Sequence, residues 1–141
     1  MTEERSKTRI LLIEDNAADV ELLRRAVRGA QMDCEWIVLD DGAEAVSFVL
    51  GMQKEAGLDL AVLDLNLPKV GGIEVLAAMR ASSRFDAVPV AVVTSSRSAK
   101  ERAEVEHYGV GRYIQKSPDL DEFMRMGWML KELLAEQGHS A

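Results

Sequence analysis

Cysteine occurs once in the 141 residues, at Cys34, which excludes an intramolecular disulfide and any multi-cysteine metal site. Cys34 itself reads as a small, half-buried residue leading into a strand. An excess of basic charge is also missing. The 17 Lys and Arg stand against 24 Asp and Glu, and the net charge of -7 has the wrong sign for holding a phosphate backbone. Direct nucleic-acid binding is therefore not expected. No run approaches the ~20 apolar residues of a membrane span, and the opening MTEERSKTR lacks the apolar stretch of a secretory signal. The chain reads as cytoplasmic, with no membrane partner. There is no Walker loop, and the lone Gly109-Val110-Gly111 precedes a strand rather than opening a helix, which argues against a nucleotide-binding module.

What is present suits one compact domain. Apolar residues make up 48 % of the chain, enough for an ordinary core but with no room for a second folded unit. No repeat, low-complexity tract or linker interrupts it. The expected organisation is a flexible stretch at residues 1–8, a domain over residues 9–137, a flexible tail at residues 138–141, and no output domain. Short Val, Ile and Leu runs alternate with segments of helical period, the pattern of repeated strand-helix units in an α/β fold with a parallel sheet. Five strands are expected: Ile10 to Ile13, Glu35 to Leu39, Leu60 to Leu63, Val90 to Val93 and Arg112 to Gln115. Most are continuously apolar, as strands covered on both faces should be.

Five helices are expected between and after these strands. The first follows Asn16, turns Val20, Leu23 and Val27 inward, and ends at Gly29 in a left-handed position. The second runs from Ala43 to Leu50. The third begins near Gly72 with Ile73, Leu76 and Met79 inward. The fourth, from Lys100 to Tyr108, carries many charges and few large apolar residues, so it should be the least firmly packed. The last spans Leu120 to Gln137.

Ligands of open parallel sheets bind at the carboxyl ends of the strands, so the residues just after each strand are the candidates. Those residues are Glu14 and Asp15 after strand one, Asp64 after strand three, Thr94 and Ser95 after strand four, and Lys116 after strand five. Any one acid alone is readily explained as a helix cap or a solvated strand end. Three converging carboxylates are different, because their repulsion must be relieved by a raised pKa or by a cation. A hard divalent ion such as Mg2+ suits them. Asp15 and Asp64 would be direct ligands, the backbone carbonyl of Asn66 a third, and Glu14 a direct or water-mediated helper. Beside such an ion Asp64 becomes a nucleophile toward phosphorus. Lys116 and the hydroxyl of Thr94 would hold the transferred phosphoryl oxygens.

The segments ILLIEDN, AVLDLNLPKVGGIEVL, VPVAVVTSS and GRYIQKSP together resemble the receiver domains of two-component response regulators, over nearly the whole chain. An acid pair, then Asp-Leu-Asn-Leu-Pro-Lys with Gly71 four residues beyond Leu67, then Thr, then Lys, makes an ordered pattern of high specificity. The resemblance implies a flavodoxin-like, doubly wound five-stranded parallel sheet of order 2-1-3-4-5 with five helices. It implies Asp64 as phosphoacceptor, Glu14 and Asp15 as the acid pair, Thr94 as switch hydroxyl, Tyr113 as switch aromatic and Lys116 as phosphate sensor. It further implies a sensor histidine kinase as partner, and no catalysis beyond Mg-dependent self-phosphorylation and autodephosphorylation. IEDNAADVELL, DLNLPK and the Lys-Ser pair are most similar to the single-domain regulators that partner phytochrome-type kinases. One departure stands out: most receivers follow the lysine with a proline in a cis peptide bond, whereas here Ser117 intervenes before Pro118. A cis bond would then cost about 3 kcal/mol more to hold, and both isomers stay open.

With no output domain expected, the output is expected to be a change in what this domain binds, with the face of helix four, strand five and helix five as its seat. In the last helix Leu120, Phe123, Gly127, Leu130 and Leu134 form one stripe, which Met126, Met129 and Leu133 widen beyond the ~100 degrees a surface helix needs. Met126, Met129 and Leu133, with Trp128 beside them, are therefore expected to contact a second protomer, giving a homodimer, or another partner. His107 and His139 read as solvated. Two rival functions remain in view. A haloacid-dehalogenase-type phosphatase would need an acid where Asn66 stands, and a degenerate receiver acting as a constitutive interaction module would normally lack one of the chemical groups.

Overall fold

The computed structural model of the chain describes residues 7–51, 57–83, 85 and 87–136. The 138–141 tail, His139 and most of the expected flexible start lie outside the described residues. Thr8, expected in that flexible start, already belongs to the first strand, where its N–H donates to the Asp33 carbonyl at 3.0 Å.

Five strands, β1 (Thr8–Ile13), β2 (Cys34–Leu39), β3 (Leu60–Leu63), β4 (Val90–Thr94) and β5 (Arg112–Gln115), alternate with α1 (Ala17–Gly29), α2 (Gly42–Gly51), α3 (Gly72–Ala81) and α4 (Ala99–His107). Two consecutive helical segments, α5 (Leu120–Met124) and α6 (Met126–Glu136), complete the chain. All strand pairs are parallel, in the order β2-β1-β3-β4-β5. This is the order that the family resemblance implies.

Successive strand side chains point to opposite faces. Ile10, Leu12, Leu60, Val62, Ala91 and Val93 therefore form one core layer under α1, α5 and α6. Leu11, Ile13, Ala61, Leu63, Val90 and Val92 form the other, with residues of α2, α3 and α4. Two covered faces explain why β3 and β4 are apolar without interruption. Strand order reverses between β1 and β3, which opens a crevice at their carboxyl ends.

Local chemistry sets the helix ends. The Asn16 side chain caps α1 by accepting from the Asp19 N–H at 3.1 Å. At the other end Gly29 is not in the expected left-handed position. Ala30 still donates to the Ala26 and Val27 carbonyls, carrying the turn past Gly29, and the positive φ of 65° falls on Gln31. Gly72 starts α3 in close contact with the loop after β3, since a Cβ there would lie 2.5 Å from both the Asp64 carbonyl oxygen and Leu65 Cα. Along α3, Val75, Leu76 and Met79 are buried, whereas Ile73 is only partly so. In α4 only Val105 is fully buried, as the charge-rich sequence of that helix led one to expect.

The last helix departs from expectation. Over the span expected for the fifth helix, α5 and α6 join through Arg125, whose φ of -65° and ψ of -19° are themselves right-handed helical, while Gln137, its expected end, lies outside the described residues. Met126 is 1 % exposed and Leu133 0 %, so both belong to the core and not to an outward face. Two glycines let the helix sink this far. A Cβ on Gly127 would lie 1.9 Å from the Ala26 carbonyl oxygen, so α6 rests directly on the backbone of α1. Leu133 fills the space over Gly111, where a Cβ would meet its Cδ1 at 2.6 Å. Of the residues expected at an interface, Met129 at 36 % and Trp128 at 48 % remain outward. Among the described residues every peptide bond is trans, Lys116–Ser117 included, and no helix is long and apolar enough to cross a membrane.

Candidate functional site

The sheet delivers its polar strand ends to one crevice. β1 runs into Glu14 and Asp15, and the Glu14 and Asp64 N–H groups continue the ladder by donating to the Leu39 and Ile13 carbonyls at 2.9 and 3.0 Å. Carboxylate oxygens of Glu14, Asp15 and Asp64 all lie within 4.8 Å of one another. Glu14 and Asp64 are buried and Asp15 faces solvent. A second acidic group, Asp40, Asp41 and Glu44, is explained by capping: Asp41 accepts from the Glu44 N–H at 2.7 Å and pairs with Lys69 at 3.4 Å. The backbone bond from Glu44, more than Lys69, holds the Asp41 carboxyl below its ordinary pKa.

Lys116, from the end of β5, reaches across the crevice. Its Nζ donates to Glu14 Oε1 and to Asp19 Oδ2, each at 2.8 Å, and lies 3.6 Å from Asp64 Oδ2. Burial alone would push the lysine's pKa down, but the bonds to Asp19 and Glu14, with the Asp64 charge, raise it above its ordinary value. The ammonium is therefore charged at any physiological pH. Glu14 is affected in the other direction. Burial, with the nearby Asp64 charge, outweighs its bond to Lys116 and pushes its carboxyl up to about 7. A raised pKa and a partial counter-charge are two ways of relieving crowded carboxylates, and both are in use here.

The remaining expected residues surround this cluster. The Asn66 N–H points at Asp64 Oδ1 at 3.4 Å, a long contact. Thr94 is fully buried at the end of β4; its hydroxyl accepts from the Ser96 N–H at 3.2 Å, and its carbonyl accepts from the Lys116 N–H at 2.8 Å. Ser96 in turn hydrogen-bonds the Glu101 carboxylate, linking the loop after β4 to the first turn of α4. Tyr113 is half-buried on β5, opposite Val92, with the Arg102 guanidinium 4.8 Å from its ring centroid. Burial raises its phenol pKa, Arg102 opposes the rise and Glu101 adds to it. Beside the ring a cleft of about 310 Å³ lies between the β4–α4 loop and β5. Met126, Met129 and Leu133 are not part of the crevice.

Reading strand ends alone missed two groups. Asp19 shares the Lys116 ammonium although it sits in the first turn of α1 and not at a strand end, and Arg102 covers Tyr113 from α4. Asp19 had a visible signal, an acid four residues after Asp15 on the same helix start. Arg102 had none, because a long side chain's reach between elements leaves no periodic trace.

Comparison with known proteins matches residues 10–126 to the response regulator receiver domain. Response regulator Rcp1 of Synechocystis sp. is 33 % identical over 120 residues, which cover 83 % of this chain and 82 % of that protein. Among solved structures, the phosphorylated cyanobacterial phytochrome response regulator RcpA superposes with a TM-score of 0.81 at 31 % identity, covering 92 % of this chain and 94 % of that one. The Mn2+-bound form of Rcp1 gives 0.77 at 31 % identity, over 89 % and 92 %.

Proposed function

Because this chain belongs to the response regulator receiver family, we propose that Asp64 is its phosphoacceptor, that a sensor histidine kinase is its donor, and that its signal is a phosphorylation-dependent change in protein contacts. The observation that carries this reading is the meeting, at one sheet edge, of the Asp64 carboxylate with two further carboxylates and the Lys116 ammonium. The likeness to Rcp1 and RcpA supports a phytochrome-type kinase as the donor and a cytoplasmic setting.

The donor set fits a hard divalent cation: three carboxylates within 4.8 Å, no nitrogen or sulfur ligand among them, and one face open at Asp15. Asp15, Asp64 and the Asn66 carbonyl would hold Mg2+, with Glu14 helping directly or through water. When bound, the ion supplies positive charge to the phosphoryl oxygens. In the transfer an Asp64 carboxylate oxygen gives an electron pair to phosphorus. The P–N bond to the kinase histidine breaks, and its electron pair leaves with the imidazole. Lys116 then has a phosphoryl oxygen to pair with, and the Thr94 hydroxyl donates to another. Inward movement of Thr94 leaves room that Tyr113 fills, which shifts the α4–β5–α5 face between two states.

The chemistry proposed is Mg-dependent self-phosphorylation and autodephosphorylation. Association into a homodimer is proposed through the outward Trp128 and Met129 alone. The test is incubation with acetyl phosphate and Mg2+. A mass increase of one phosphate is expected for the native chain, lost in Asp64→Asn and suppressed by EDTA; an unmodified native chain would overturn the reading.

A further inference from the structure

We infer that Asp19 is a positioning residue for Lys116, a tether that holds the ammonium toward the first turn of α1 and away from Asp64 until a phosphoryl group is in place. The inference rests on the proposed role of Asp64 and adds a residue outside the set assigned to it.

The distances define the tether. Charge-assisted N–H···O bonds span about 2.7 to 2.9 Å, and an ammonium has three protons to give. Two of the Lys116 protons go to Asp19 and Glu14 at 2.8 Å, whereas Asp64 at 3.6 Å is in ion-pair range and beyond a good hydrogen bond. The Asp19 side chain is partly buried, at 23 % exposure, and its partner follows the end of a strand, 97 residues later. The contact is therefore tertiary and not a local helix pair.

Asp19 also lies in the first turn of α1, where a carboxylate favours the helix dipole regardless of Lys116. The two roles make different predictions. A purely helical role affects only stability. A tether biases Lys116 between two positions, one against Asp19 and one against the modified Asp64. A phosphoryl group adds negative charge beside Asp64 and competes for Nζ. Neutralising Asp19 removes the opposing pull, so the phosphoryl-bearing state gains.

The test is a fluorine NMR titration of the full chain with beryllofluoride, a non-covalent phosphoryl mimic, in the presence of Mg2+. Native, Asp19→Asn, Asp19→Ser, Lys116→Met and the Asp19→Asn/Lys116→Met double variant are compared, with Asp64→Asn as control. The neutral Asp19 variants are expected to bind about fivefold more tightly, the low end for coupled sites, and the gain should vanish in the Lys116→Met background. Unchanged or weaker binding with a lowered Tm assigns Asp19 to the helix alone and overturns the tether. An equal gain without Lys116 overturns it too, since that would be a general field effect. If the native chain fails to bind the mimic, or Asp64→Asn binds it equally, the Asp64 reading fails and the tether falls with it.

Discussion

Raising the pH across neutrality without a divalent ion should destabilise this protein, through Glu14. Its carboxyl titrates near 7 in the fold against an ordinary value of 4.5, because burial and the Asp64 charge outweigh its bond to Lys116. Between those two values the native state holds a proton that the unfolded chain has released, so unfolding free energy falls as pH rises through the window. The deficit is absent below 4.5 and complete above 7. At about 1.4 kcal/mol per pH unit it amounts to about 3 kcal/mol, a large share of the ~5 to 15 kcal/mol that holds a typical domain together. For a chain of this size that corresponds to roughly 10 °C in Tm. Thermal unfolding in EDTA at pH 5.5 and pH 8 captures the upper part of that window, about 2 kcal/mol or roughly 7 °C, with Glu14→Gln alongside. The native chain should melt lower at pH 8, and Glu14→Gln should lose most of the difference. Equal melting at both values, or the same slope in the variant, would refute the argument.

Four further outcomes follow from the packing. Gly127→Ala drives a methyl into the Ala26 carbonyl and should cost about 1 to 3 kcal/mol in urea unfolding, among the larger effects of so small a change. Leu133→Glu buries an unpaired charge and should leave the chain unfolded by circular dichroism; under the proposed homodimer, Trp128→Glu should stay folded and sediment as a monomer where the native chain sediments as a dimer. Arg102→Ala removes the cation over Tyr113, a contact of about 0.5 to 1 kcal/mol, and should broaden or shift the tyrosine ring signals in proton NMR while leaving the phosphoacceptor cluster intact.

Much of this architecture was legible because its signals are local and repeated. β3 and β4 declare themselves through unbroken apolar runs, which only doubly covered strands need, and the polar residues ending β1, β3, β4 and β5 then fall at one edge. The last helix was misread for the opposite reason. Its wide apolar arc implied an unpartnered face, but burial of Leu133 depends on Gly111, 22 positions earlier, and that of Met126 on close approach to Ala26, which Gly127 permits. Nothing in a helical period reports the depth of the groove awaiting it. Gly29 failed similarly: glycine permits a left-handed turn, but the hydrogen bonds of Ala30 decided where the turn falls. Asp19 lies in the first turn of α1 and not at a strand end, and the pairing that matters comes from Lys116, 97 positions later, which no local pattern reports.

The central claim is that phosphate resides on Asp64. After treatment with acetyl phosphate and Mg2+, borohydride reduces an aspartyl phosphate to homoserine and leaves free carboxylates untouched. Peptide sequencing by mass spectrometry should find homoserine at position 64 and at no other acid of the crevice. Homoserine at position 14, 15 or 19, or at none, would contradict the account.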